Sequence, residues 1–146
     1  IFGWPFNQKL FDAFFVKPIG LALIILGFVL LVWAVVNLGT SWRLGISEAN
    51  PGNLVKSGIF RYCRHPIYVF FNLYFLGTFL IRGNLVFLIF WVAVAAILHY
   101  QAISEEKYLT KIYGKSYVDY SKQVGRYITF KIVAIWSNIK GSKQSA

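Results

Sequence analysis

The sequence predicts an all-α fold: an integral-membrane helical bundle with three spans and a cytoplasmic, amphipathic C-terminal helical segment. Three observations lead there. The chain is 58% hydrophobic and 19% aromatic but only 14% charged, whereas soluble domains average about 45–50% apolar and about 25% charged. Its apolar residues stand in long uninterrupted blocks. Its Lys and Arg residues are unevenly shared among the segments between those blocks.

The 146 residues are enough for a single domain over 1–146. Residues 1–16 are aromatic and mixed, and read as an interfacial segment or the end of a longer element. The chain begins at Ile1 and has no methionine, which suggests a shortened beginning. Residues 18–39 carry no charge and form the surest span, with Lys17 and Pro18 at its start and Asn37 and Gly39 at its end. Residues 40–65 are a polar loop, with a turn cluster at Asn50, Pro51, Gly52 and Asn53 and a helix-breaking Gly58. Two further apolar blocks, 66–81 and 85–103, are split by Arg82-Gly83-Asn84 and read as antiparallel spans joined by a tight turn. The first is short for a span, and a start inside the headgroup layer with Pro66 in its first turn resolves this.

The segment 104–146 begins polar and amphipathic. Ser104 before two acids resembles a helix start, although the apolar helix before it is equally able to run on. Gly114 breaks or bends the helix, and the tyrosines at 108, 113, 117 and 120 suit a packing face. Residues 127–139 are too short to span and suit a docked or surface-lying helix.

Orientation follows from the cations. The 40–65 loop holds Arg43, Lys56, Arg61 and Arg64, and the chain from 104 onward holds eight more Lys and Arg, against Arg82 alone in the tight turn. Three spans put loop and tail on one face, and the positive-inside rule makes that face cytoplasmic. The net charge of +10 is thereby assigned to a membrane surface rather than to nucleic acid. Cys63 is the only cysteine and has no thiol partner, so neither an internal disulfide nor a Cys-based metal site is expected.

That orientation brings two polar groups to one mouth. The first is Arg61, Arg64 and His65, immediately before the second span. Taken alone it reads as a set of juxtamembrane anchors. The second is Glu105 and Glu106, two of only five acids in the chain, directly after the third span. Tyr68, His99, Tyr100, Tyr108 and Arg126 are expected nearby. Cations, acids and aromatic walls beside apolar helices suit a charged cofactor paired with a lipid-soluble substrate.

These residues also carry a resemblance. "NLVKSGIFRYCRHPIYV" followed by "SEEKYLTKIYGKSYVDYSKQVGRYI" resembles the isoprenylcysteine carboxyl methyltransferase-like and phospholipid methyltransferase superfamily. The match rests on Arg-His-Pro-x-Tyr opening a helix, a Glu-Glu pair one hairpin later, a Tyr-Gly-x-x-Tyr-x-x-Tyr run and a final Val-x-Arg. "LGTSWRLGI" at 38–46 is similar to the lead-in of bacterial members, so the likeness covers roughly residues 38–130. It implies an integral-membrane enzyme using S-adenosylmethionine, which methylates a lipid-like acceptor.

On the matching positions the resemblance implies cofactor contacts from His65, Tyr68, Glu105 and Glu106 with Arg64 close by, and His99, expected at the same mouth, joins the cofactor-binding candidates. The resemblance puts Arg126 at the reacting end of the substrate, and leaves Glu106 or His99 as the base that an amine acceptor would require. A carboxylate acceptor such as a prenylcysteine needs no base, and no metal is implied. Phospholipid N-methyltransferases show a glycine-x-glycine element before the acidic pair; Gly77 offers one glycine, which favours the carboxyl methyltransferase-like branch. The resemblance leaves the membrane open, plasma membrane in a prokaryote or endoplasmic reticulum in a eukaryote.

Two other readings remain. Membrane sterol and steroid reductases have a similar Arg-His-Pro-x-Tyr and use NADPH, but usually with Asn at the position of Ile67 and Gly-Glu where Phe70 and Phe71 stand. A non-enzymatic membrane scaffold accounts for the basic anchors but not for acids on the same face.

Overall fold

The structure, a computed structural model, describes residues 9–39 and 53–127. Over these it is helical: α1 (Val16–Leu38), α2 (Pro66–Arg82), α3 (Leu85–Tyr113) and α4 (Lys115–Gln123), with a short 3-10 turn at Gly58–Arg61 before α2. The interfacial reading of residues 1–8, the turn cluster at 50–53 except Asn53, the 38–46 motif beyond Gly39, and the helix expected over 127–139 beyond Tyr127 lie outside the described residues.

α1 and α3 are long and apolar enough to cross a membrane, and both leave most of their apolar length exposed. α2 has 17 residues, or about 26 Å at ~1.5 Å per residue, just short of a hydrocarbon layer of ~30 Å. Its His65 N-cap and Pro66 match the shortened start read from the sequence. α3 has 29 residues and does not stop at Ser104. The polar segment therefore begins as the last turns of the same helix, so Glu105 and Glu106 sit on a rigid extension of the apolar rod.

α2 packs on both α1 and α3. Small residues let α1 approach. Gly20, Gly27 and Ala34 recur every seventh residue and are buried on one stripe of α1, while Ile25, Val29, Val32 and Val36 are exposed on the opposite one. A Cβ on Gly20 would stand 2.6 Å from the Gly77 carbonyl oxygen of α2, and one on Gly77 would stand 2.5 Å from that of Gly20. Lipid tails are as apolar as side chains, so helices associate in a membrane through such close packing rather than by escaping water.

The two ends of the bundle differ. At one, Gly83 closes α2 with φ +63°, and Asn84 caps α3 by accepting from the Phe87 amide at 3.1 Å. The Gly83 carbonyl accepts from the amides of Leu10 and Phe11, which docks the chain before α1 onto this turn. At the other end, Gly114 (φ +54°) separates α3 from α4, as the break expected there requires. α4 then folds back onto the segment before α2. Tyr117, Tyr120 and Val124 are buried against Leu54, Leu109 and Tyr113. The Tyr120 hydroxyl donates to the Phe60 carbonyl at 2.6 Å, and Lys56 Nζ donates to Ser116 Oγ at 2.8 Å.

The Gly20–Gly77 crossing generates a test. Gly77→Ala forces two backbones apart and is expected to lower unfolding free energy by about 1–3 kcal/mol. Val36→Ala, on the exposed stripe, is expected to change it by less than about 0.5 kcal/mol. Thermal unfolding of both variants in detergent checks the contrast.

Candidate functional site: a cation–carboxylate cluster beside an apolar cavity

The polar cluster is assembled by a backbone pairing. The Arg64 amide donates to the Gly125 carbonyl and the His65 amide to the Arg126 carbonyl, each at 3.1 Å. The strap after α4 thus runs beside the segment before α2, and Arg64, His65 and Arg126 are fixed next to one another. Cys63 sits under this pairing with Sγ 3.6 Å from the Arg126 carbonyl. Burial pushes its thiol up to about 11, which keeps it protonated and unreactive.

α3 delivers the acids. Ala95, His99, Ala102, Glu106, Leu109 and Tyr113 follow one another at spacings of four and three, one face of a helix. Ala102 is buried and leaves room for its neighbours. Glu106 lies on this face and Glu105 beside it. Glu106 is the shared acceptor: Arg126 donates Nε to Oε1 at 2.7 Å and Nη2 to Oε2 at 2.9 Å. Arg64 Nη1 lies 3.2 Å from the same Oε1, and His65 Nε2 lies 3.3 Å from it. Glu105 turns towards α2, where Tyr68 donates its hydroxyl to Oε2 at 2.9 Å and His65 Nδ1 lies 3.5 Å away. The His65 and Tyr68 rings stack with centroids 5.1 Å apart.

Burial makes these contacts count. Only 10% of the Arg64 side chain and 14% of that of Glu106 is exposed, so neither charge is well served by water. For Glu106, burial favours the neutral acid, but the hydrogen bond from Arg126 and the charges of Arg64 and Arg126 outweigh it and hold the carboxyl below its ordinary value. Burial likewise acts on Glu105 and is outweighed by the hydrogen bond and charge of His65 and by the Tyr68 hydroxyl. Both acids are therefore carboxylates at neutral pH. Arg64 is oriented from α4, where Tyr117 accepts from its Nη1 at 3.0 Å. Its buried Nε has no hydrogen-bond partner among the described residues.

Beside the cluster lies a cavity of about 570 Å³, lined by Val69, Asn72, Leu73, Ala95, His99 and Tyr127. Ligand sites fall at about 300–1,000 Å³. Its α2 residues lie one to two turns beyond His65, and its α3 residues two to three turns before Glu106. The cavity thus follows the two helices away from the cluster, down into their apolar length. His99 lines it and pairs through Nδ1 with the Tyr127 hydroxyl at 2.9 Å.

The structure brings together Arg64, His65, Tyr68, Glu105, Glu106 and Arg126. His99 stands apart, two turns from Glu106 on the cavity wall. Tyr100 is 72% exposed on another face of α3. Sequence reasoning missed Tyr117 and Tyr127. Tyr117 reads as packing, which it also does, and its bond to Arg64 depends on α4 folding back. For Tyr127 the available signal is adjacency to Arg126 at the end of the motif. Asn72 was likewise unmarked: one polar residue on an apolar helix, with Nδ2 donating to the Tyr68 carbonyl at 2.9 Å.

A charged, dipolar ligand fits this donor set. Glu105, 36% exposed, can accept from an ammonium or from hydroxyls.

Comparison with known proteins gives the family. The chain is 37% identical to the protein-S-isoprenylcysteine O-methyltransferase of Schizosaccharomyces pombe over 62% of its own length and 40% of that protein. It is 29% identical to isoform B of that enzyme from Arabidopsis thaliana over 86% of its own length and 65% of that protein. The chain thus spans about 40–65% of the length of these curated relatives. Its fold superposes on the eukaryotic intramembrane Ras methyltransferase, isoprenylcysteine carboxyl methyltransferase, with a TM-score of 0.71 and 29% identity, covering 80% of this chain and 43% of that one. The family model described as phospholipid methyltransferase matches residues 16–116, well over half of the 146 residues. The chain is an integral-membrane protein, helical over its described residues, that belongs to the phospholipid methyltransferase family.

Proposed function

We propose that this chain is an S-adenosylmethionine-dependent methyltransferase that methylates the carboxylate of a lipid-like acceptor of the prenylcysteine type. One observation carries the reading: an apolar cavity between α2 and α3 lies one to three helical turns from a half-buried cluster of two arginines, a histidine and two carboxylates. The sequence relatives that methylate isoprenylcysteine support the same chemistry. All three long helices cross the bilayer in this reading. The cluster faces the cytoplasm, of the plasma membrane in a prokaryote or of the endoplasmic reticulum in a eukaryote.

When bound, S-adenosylmethionine supplies a methyl group on a cationic sulfur, which a carboxylate oxygen takes as the carbon–sulfur bond breaks and sulfur keeps the electron pair. The protein's task is then placement and exclusion of water. Arg64, His65 and Tyr68 hold the donor's amino-acid end, and Glu105 takes its ammonium or ribose hydroxyls. Val69, Leu73 and Ala95 accommodate the acceptor's lipid group, with His99 on the wall between lipid and polar ends. Arg126, fixed by Glu106, orients the acceptor carboxylate without neutralising it fully. Glu106 works here by holding Arg64 and Arg126 in register. With both oxygens engaged by cations it is a poor proton acceptor, which suits a carboxylate substrate that has no proton to lose.

Three outcomes follow from the cluster. Calorimetric titration of S-adenosylhomocysteine should show binding that weakens roughly 10- to 150-fold in Glu105→Gln, the ~1.5–3 kcal/mol of a charge-assisted hydrogen bond; no heat with the native chain at millimolar ligand would sink the reading. With radiolabelled donor and a farnesylcysteine analogue, the label should be base-labile, and Arg126→Lys should lower kcat/KM at least about tenfold, because an ammonium cannot make the two-point contact. A base-stable label would instead indicate an amine acceptor. The third outcome concerns pH. Glu106 has a folded value below its ordinary 4.5, so its stabilising contribution is complete above the ordinary value and is lost as pH falls through the folded one. The melting temperature of the native chain should therefore drop more steeply below about pH 4.5 than that of Glu106→Gln.

A further inference from the structure

Another cavity lies between α4 and the segment before α2, and none of the cluster residues lines it. It measures about 430 Å³ and is lined by Lys56, Arg61, Tyr62, Asp119, Tyr120, Gln123 and Val124. The methyltransferase reading uses none of these side chains. Lys56, Arg61 and Tyr62 belong to the segment before α2, and the rest belong to α4 and its end. The cavity is thus a seam between the two pieces whose docking builds the cluster.

Its position and charge define a ligand. Arg61 and Tyr62 stand five and four residues before Pro66, where α2 starts, so with α2 crossing the bilayer, as proposed above, the cavity falls level with the headgroup layer. Tyr62 is 49% exposed, as interfacial tyrosines are. Lys56 Nζ is 5.9 Å from the centre of the Tyr120 ring. Two cations and one carboxylate give the lining a net charge of +1, and no ion pair joins Asp119 to Lys56 or Arg61 among the described residues. A doubly charged phosphate monoester would meet the carboxylate with one charge uncompensated. A phosphodiester carries one negative charge and matches the lining.

We propose that this cavity binds the phosphodiester headgroup of a singly anionic membrane phospholipid, with Lys56 and Arg61 on the phosphate and Tyr62 at the lip. The lipid then staples the segment before α2 to α4, and so braces Arg64 and Arg126 from outside the active site. The proposal does not depend on the identity of the methyl acceptor, and its test reads binding rather than turnover.

The experiment is native mass spectrometry of the full chain released from neutral detergent at pH 8, titrated with dioleoyl lipids of identical tails. Phosphatidylglycerol should bind at least fivefold tighter than phosphatidic acid and than diacylglycerol. Arg61→Gln should remove that preference, and Asp119→Asn should shift it at least threefold towards phosphatidic acid; circular dichroism confirms that each variant is folded. Equal binding of phosphatidylglycerol and diacylglycerol, or an unchanged preference in both variants, overturns the proposal. So does soluble glycerophosphoglycerol that competes as tightly as the lipid, because the ligand is then a free phosphodiester. Failure here leaves S-adenosylhomocysteine binding at the main cluster intact, which separates the two readings.

Discussion

The arrangement depends on one carboxylate shared among cations from separate parts of the chain. Glu106 rises on α3 and meets Arg64 and His65 from the segment before α2 and Arg126 from the strap after α4. Buried charges at a membrane helix end are tolerable only when paired. Each partner therefore constrains the others: α3 must extend past the apolar layer, α4 must fold back, and the strap must lie beside residues 64 and 65. The backbone pairing of 64–65 with 125–126 supplies that last condition.

The same requirement explains why so polar a group sits against an apolar helix. Water-soluble and lipid-soluble ligands can meet only where the two environments join. The cavity between α2 and α3 runs along Val69, Leu73 and Ala95 and is bounded by His99 and by Tyr127, the neighbour of Arg126 in the chain. The stiffness of α3, continuous from Leu85 to Tyr113, holds Ala95 and His99 in the cavity and Glu106 in the cluster at a fixed separation. Gly20 and Gly77 fix α2 against α1 in turn, so the cavity wall rests on a dense helix crossing.

Much of this was legible in the sequence. The charge-free run at 18–39, the Arg82-Gly83-Asn84 turn and the break at Gly114 are local signals, and local structure follows them. The convergence of Arg64 and His65 with Glu105 and Glu106 was also legible, because three antiparallel helices fix which ends are neighbours. The continuation of α3 through Ser104 was not decided, since a capping signal inside a long helix cannot outweigh the intrahelical hydrogen bonds on either side. Tyr117 and Tyr127 were hidden for a different reason. Their roles come from pairing over more than fifty residues in one case and from the turn of a strap in the other, and no local pattern encodes either. Gly77 showed the same limit: it reads as a lone glycine in a span, and only the partner backbone of Gly20 gives it a purpose.

A double-mutant cycle tests the central claim most directly. Glu106→Gln, Arg126→Gln and the double variant would be compared with the native chain by unfolding free energy in detergent. A shared, half-buried, two-point ion pair should give a coupling energy of roughly 1 kcal/mol or more between the two positions. Additive losses, within about 0.5 kcal/mol, would mean that Glu106 and Arg126 do not depend on each other, and the account of the cluster would be wrong.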